Sequence, residues 1–452
     1  MMRPKPMLAL SVTAAAALAL AACSSSDGSF DGFPGGEAPT RKPDGPPFVT
    51  EPMPPPVFVD RHKELLVTDR AILGGARIDA TRNDAPWSFR HAVEGLAPPN
   101  EGAAFASAWL ATWQSTSTGP ASGSLPLTAR PDVRASLVCP WLRLTPENAC
   151  DATCSQCTAE NLDLTRAPFR LLAIVNRLDL AEGQQSCDEN KAEARLVYVA
   201  LDGTGAALPF NVIFEYGALG TMAGDAKAWH ALASLSGEAY AAALERISRS
   251  VTDSGRTTLK QLRTSENLGA AHGSAYELRQ FERGGDRLVV AALTNTAPDS
   301  LNGTQQLADH VLNHGKEIAS GDNAITLAMR TASSTMPRSD FRWSDTSGDT
   351  GRGSTLDLFG LSTCNGCHAG HRGDTTRVPF SHIGANAQGD TVLSRFLDDP
   401  ESRTNDELAF RERSLGRRLV GQCGSSESSY GGRFGAGQGG GLEKSGGPKR
   451  TH

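Results

Sequence analysis

Phe210-Asn211-Val212-Ile213-Phe214-Glu215-Tyr216 is the stretch on which the fold turns. Phe210, Val212, Phe214 and Tyr216 occupy every second position, which puts four large apolar side chains on one face of a strand. Upstream, Leu171-Leu172-Ala173-Ile174-Val175 and residues 195–201 are short apolar or β-branched runs bounded by Gly, Pro or Asp, so both predict strands. Downstream, 276–281 and 288–293 do the same. They are joined by Arg283-Gly284-Gly285-Asp286, which has the composition of a hairpin turn. Helical patterns cover 103–113, 227–251 with a break at Gly237, and 304–318. Strands and helices come in blocks and not as regular βαβ units, which predicts an α+β body.

That body spans 59–345 and lies between very different flanks. Arg3 and Lys5 precede an apolar run, Met7 to Ala22, too short to span a bilayer, for which ~20 apolar residues are needed. The pattern predicts a signal peptide over 1–22. Residues 24–58 hold nine Pro and five Gly, a composition that cannot pack a core and predicts an extended tether from 23 to 58. Residues 424–452 carry ten Gly and predict a disordered tail. A linker composition at 344–355 separates the body from a C-terminal segment, 346–423. There Thr404 and Glu407 form a capping box before a helix with Leu408, Leu415 and Leu419 on one side. The whole chain has 452 residues, 39% hydrophobic and 21% charged, with a net charge of −6. That length predicts two or three domains. The charge excludes a typical nucleic-acid binder, which would carry a strongly basic domain.

The chemistry concentrates in Cys364-Asn365-Gly366-Cys367-His368. Two thiols three residues apart reach the two vinyl groups of one porphyrin, and the adjacent imidazole is delivered to the iron, so C-x-x-C-H predicts covalent haem c with His368 as proximal ligand. None of the seven methionines follows the motif, so the second axial position is assigned to His382, with an open or water-bound position as the alternative. His371 is too near His368 to reach the opposite side. Three alternatives stay open: a Cys364–Cys367 disulfide, a zinc site drawing on Cys364, Cys367, His371 and His382, and a thioredoxin-like pair, which lacks its βαβ context. Cys154-Ser155-Gln156-Cys157 has the same spacing without the histidine and predicts no haem. Of nine cysteines, Cys139, Cys150, Cys154, Cys157, Cys187 and Cys423 remain as an even set. In an oxidising compartment these predict disulfides of open connectivity.

Weaker constellations are read structurally. His310 and His314 share a helix face without the glutamate of a metalloprotease, and are assigned to a solvated polar face. His230 beside Trp229 reads as a packing pair. Asn176, Arg177 and Asp179 read as a turn with an ion pair, or as the rim of a pocket. No nucleophile elbow or phosphate-binding loop is present.

Two resemblances add to this. Leu20-Ala21-Ala22-Cys23 resembles the lipobox of bacterial lipoproteins, which implies cleavage before Cys23, its lipidation and a membrane anchor. Ser24 after it implies passage to the outer membrane. Leu361 to Leu397 resembles a small c-type cytochrome module. The layout of the chain, with Ala167-Pro168-Phe169-Arg170-Leu171-Leu172 and Val212-Ile213-Phe214-Glu215-Tyr216 ahead of the motif, is similar to a family of bacterial lipoproteins of unassigned activity. The resemblance implies an α+β body with a small, mainly α haem c-like module. The family layout brings no activity with it; the C-x-x-C-H motif carries the expectation of electron transfer or redox sensing at the cell envelope with a redox partner protein. A haem-free binding or structural lipoprotein stabilised by disulfides or zinc is the alternative, and an enzyme with its active site in the body is a third.

Overall fold

The computed structural model describes residues 57–422 except 115–116, 119–125, 152–153, 156, 158–160, 182–191, 270–275, 294–296, 321–324, 326–328, 331–332, 337–340, 347–354, 362, 367, 369–380 and 400–406. An eight-stranded antiparallel sheet organises these residues. Its strands are β1 (Leu66–Val67), β2 (Phe169–Arg177), β3 (Glu193–Leu201), β4 (Ala207–Gly217), β5 (Leu259–Glu266), β6 (Tyr276–Arg283), β7 (Leu288–Ala291) and β8 (Ser333–Met336). The order is β1-β2-β3-β4-β5-β6-β8, with β7 also pairing β6. A separate hairpin, β9 (Ile383–Ala385) with β10 (Thr391–Leu393), lies near the C-terminal end. The α+β expectation is met, and each strand foreseen in the body coincides with an observed one, except that the run foreseen over 288–293 ends two residues earlier, at Ala291. The 283–286 turn is present too: the Gly284 N–H donates to the Arg287 carbonyl and Gly285 has φ 72°.

Register explains why this sheet has two unlike faces. Directly opposed residues in antiparallel strands share a face. Leu196, Phe214, Leu262 and Phe281 form one cross-strand row, whereas Val197, Ile213, Arg263 and Gln280 form the neighbouring row on the other side. The first face packs against helices α1 (Phe89–Glu94), α2 (Gly102–Leu110) and α4 (Gly237–Thr252) through a dense aromatic core. Phe89 stacks on Phe169 at 3.9 Å and meets Tyr198 and Phe214 edge-on at 5.6 and 5.9 Å. The indole N–H of buried Trp87 donates to Ser248 Oγ at 2.8 Å. Side chains of this size contribute ~1.5–3 kcal/mol each on full burial, so this face carries much of the stability. The helix anticipated over 227–251 is split: α3 (Met222–His230) ends in a tight turn, and α4 restarts at Gly237, where φ is 53°.

The described residues of the C-terminal segment add to this packing. Helix α8 (Glu407–Leu419) buries Leu408 and Leu415 in the same core as the sheet, and Leu397 joins them. A second cluster gathers Leu307 of α5 (Gln305–Asn313), Ile318 of α6 (Gly315–Ser320), Trp343, and Phe359 of α7 (Thr355–Leu361). Packing therefore runs across position 345, where a linker was anticipated. Residues 54–452 form one unit.

Two disulfides tie the stretch after α2: Cys139–Cys154 and Cys150–Cys157. Closing a loop of 15 residues stabilises a fold by about 3 kcal/mol on the chain-entropy account. Cys187 and Cys423 lie outside the described residues, as do the signal peptide, most of the tether and the tail. Among the described residues no helix is long and apolar enough to cross a membrane.

Candidate metal centre

The motif sits on a single helical turn, Cys364–Gly366, immediately after α7. Side chains from the second cluster hold that turn. The Trp343 indole N–H donates to Thr363 Oγ1 at 2.8 Å, and Thr363 Oγ1 donates in turn to the Gly360 carbonyl at 2.9 Å. Asn365, fully buried, donates from Nδ2 to the Ala297 carbonyl and to Asp299 Oδ1, at 3.1 and 2.7 Å. Gly366 leaves no room for a Cβ, because the Gly360 carbonyl and Thr363 Oγ1 already occupy that space. Its small size is demanded by the chain itself.

Cys364 is buried and His368 half-buried; Cys367 and His371 lie outside the described residues. His382, fourteen positions beyond His368, returns to the same place: the two imidazoles lie 4.3 Å apart, centroid to centroid, inclined by 38°. Cys364, His368 and His382 line one cavity of about 100 Å³ against the second face of the sheet. His382 Nδ1 lies 3.0 Å from Ser394 Oγ. With Nδ1 as the donor, the lone pair stands on Nε2, the arrangement by which a neighbouring oxygen orients a metal-binding histidine. Burial, reinforced by His368 and Arg411, pushes the His382 imidazole well below its ordinary pKa, so it stays neutral, the form that ligates metals. The β9 strand carrying this region is pinned by Asn211, whose Nδ2 donates to the Ile383 carbonyl at 2.6 Å.

The cavity floor is charged. Arg177 at the end of β2 grips Asp179 through Nε and Nη2 at 2.9 and 2.8 Å, both residues buried. Arg411 of α8 lies 3.3 Å from Glu407 and 3.9 Å from Asp179. Arg195 pairs with Glu193 at 2.7 Å and with Glu215 at 3.3 Å, and Arg263 approaches Glu215 at 3.7 Å. Burial alone would raise Asp179, but Arg177 and Arg411 outweigh it and hold its carboxyl below the usual range. For Glu407 burial prevails and pushes the carboxyl up. Burial and the charge of Arg177 pull Arg411 down to about 10.

No protein-family model, characterised protein or solved structure matches this chain. The site is therefore read from its own chemistry. A thiol and two imidazoles around one cavity are a donor set for iron or zinc. Room distinguishes the occupants: about 100 Å³ admits an ion with a few waters, whereas sites for organic ligands run to ~300–1,000 Å³. The haem c suggested by the motif fits the donors, and does not fit the cavity in its present shape.

Elsewhere the structure revises some readings. His310 is buried, not solvated, because α5 packs beside α7; its ring lies 4.6 Å from His314 and 5.8 Å from Phe359. His230 does more than pack: its Nδ1 lies 2.9 Å from Glu64 Oε2, and Glu64 is fully buried. Arg177 and Asp179 fulfil both readings at once, an ion pair that also borders the cavity. The sulfurs of Cys150, Cys154 and Cys157 lie within 4.8 Å of one another, the closeness expected of two adjacent disulfides. Sequence reasoning missed Arg195, Asn211, Glu215, Arg263, Ser394 and Arg411. For three of these a signal existed: Asn211 and Glu215 interleave with the apolar residues of β4, and Arg195 opens a run that was otherwise apolar.

Proposed function

We propose that this chain is an exported lipoprotein with one metal centre at its C-x-x-C-H segment, carrying haem c and exchanging or sensing electrons at the cell envelope. The observation that supports this most is the gathering of Cys364, His368 and His382 around one cavity, although His382 lies fourteen positions beyond His368 in the chain. Cys364, Cys367, His368 and His382 would hold the group. Bound haem supplies one-electron exchange. The chain's own residues supply the rest. Ser394 orients His382, burial keeps that ring neutral, and Asn211 fastens β9 to the sheet. Cys23 would anchor the chain to the outer membrane, and the body would dock a redox partner or substrate.

The small cavity and the close approach of the rings favour a second reading. A single zinc ion held by Cys364, His368 and His382 would make this a haem-free binding or structural lipoprotein, with its disulfides elsewhere. Full-length protein from a host that matures c-type cytochromes separates the two. The haem reading expects a pyridine haemochrome spectrum, a mass gain of one haem lost in C364S/C367S, and a reduction potential that rises in H382M. The zinc reading expects colourless protein with one equivalent of zinc, lost in H382A. Protein with neither group overturns both.

A further inference from the structure

A second cleft lies where β2 meets the turn between β9 and β10, apart from the cysteine–histidine cavity. It measures about 460 Å³ and is bordered by Arg70, Arg170, Gly74, Leu172, Gly389 and Asp390. Arg170 carries the argument. Its Nε and Nη2 are buried and have no hydrogen-bond partner. Those two N–H groups form the side-on edge of the guanidinium, whose parallel donors match two oxygens of a carboxylate or phosphate. A buried donor left unmatched is costly, and here two lie on one cationic edge of a residue that borders a cleft of ligand size.

The surroundings hold that edge in place. The β9–β10 turn is tight: Asn386 and Asp390 pair through backbone, and Asn386 Oδ1 accepts from the Asp390 N–H at 2.8 Å. Thr391 Oγ1 donates to the Leu172 carbonyl at 2.9 Å, which fastens the turn to β2. Gly389, at φ 82°, lies so close that a Cβ there would come within 2.7 Å of Nη1 and Nη2 of Arg170. Glycine is therefore required for the turn to close over the guanidinium. The second cation, Arg70, is exposed and lies 3.6 Å from Asp390. The lining holds two cations and one carboxylate, a net charge of +1. Burial and Arg70 both disfavour the charge on Arg170, which Asp390 only partly offsets.

We propose that this cleft binds an oxyanion of the phosphate class, received side-on by Arg170, with Arg70 exchanging Asp390 for the ligand. The oxyanion belongs either to a soluble phosphorylated compound or to an anionic lipid headgroup. The test uses the full chain and two probes: inorganic phosphate, followed by calorimetry at constant ionic strength against chloride, and vesicles of phosphatidylglycerol against phosphatidylcholine. One saturable phosphate site is expected, weakened at least about tenfold in R170M, as the loss of a charge-assisted hydrogen bond implies. Because Arg170 is partly buried, R70M serves as the second variant; its exposed side chain leaves folding intact, and it should weaken binding several-fold. Phosphate binding without vesicle binding assigns a soluble ligand. Binding selective for phosphatidylglycerol and lost in R70M assigns a headgroup. No saturable binding of either probe, or binding indifferent to both substitutions, overturns the proposal.

Discussion

On one face of the sheet Phe214 lies against Phe89 and Tyr198; one residue further along the same strand, Glu215 lies between Arg195 and Arg263 on the other. Both are essentially inaccessible to solvent, so burial itself does not distinguish them. The apolar face gains by leaving water, and its contacts are non-directional. The charged face loses solvation for every ion it buries and recovers that loss only through specific partners. One face is therefore a source of stability, and the other a rigid and costly scaffold on which a C-terminal segment with two imidazoles is seated. Such an arrangement is expected where the face serves a site.

The comparison can be broken most sharply at Phe214. Phe214→Ala should lower the unfolding free energy by ~3–5 kcal/mol, read by urea denaturation; a loss below ~1 kcal/mol would mean that the aromatic face does not bear the load assigned to it. On the charged face the diagnostic is non-additivity. Asp179→Ala leaves Arg177 and Arg411 without their shared carboxylate and should cost ~3 kcal/mol. The double variant Arg177→Met/Asp179→Leu should cost less than that single change, since it removes the stranded charge. Additive losses would contradict the picture of a mutually compensated cluster.

Asp179 also sets a pH dependence. Its folded-state carboxyl titrates below its ordinary value of 3.8, so the folded chain binds that proton less readily than the unfolded one. The contribution is fully present above the ordinary value and is lost as pH falls from there through the folded value. Asp179→Asn should therefore flatten the acid limb of the stability profile below about pH 4; an unchanged limb would remove Asp179 from its cause. The smallest effect belongs to Asn211→Ala, which deletes the bond to the Ile383 carbonyl. About 1 kcal/mol is expected, appearing as faster amide exchange in residues 383–393 with little change in the sheet.

Much of the sheet was legible in advance because its apolar face imposes a period of two on β4 and continuous apolar runs on β2 and β3. Strand β5, Leu259-Lys260-Gln261-Leu262-Arg263-Thr264-Ser265-Glu266, was not. Its Gln261, Arg263 and Ser265 face the charged side, so few apolar residues remain to mark it. The short edge strands β1 and β8 carry too few residues for any period to show. His310 was misread for a related reason. A helix face looks polar in isolation, and only the approach of α7 makes it interior. At the candidate site the motif residues were visible as a spacing, whereas the charged floor belongs to several strands and a distant helix, and no local pattern connects them.

What the amino-acid order determined alone is local. Alternation along β4, the C-x-x-C-H spacing and the order of charge, apolar run and cysteine at the N-terminus each depend on neighbours a few residues apart, where backbone geometry dictates which side chains lie together. The tertiary structure decided the partnerships across longer distances: Cys139 with Cys154, Arg411 with Asp179, His382 with His368, and Gly389 over Arg170. Those depend on strand register and on which surfaces bury one another, quantities set by the packing of the whole chain and encoded in no single segment of it.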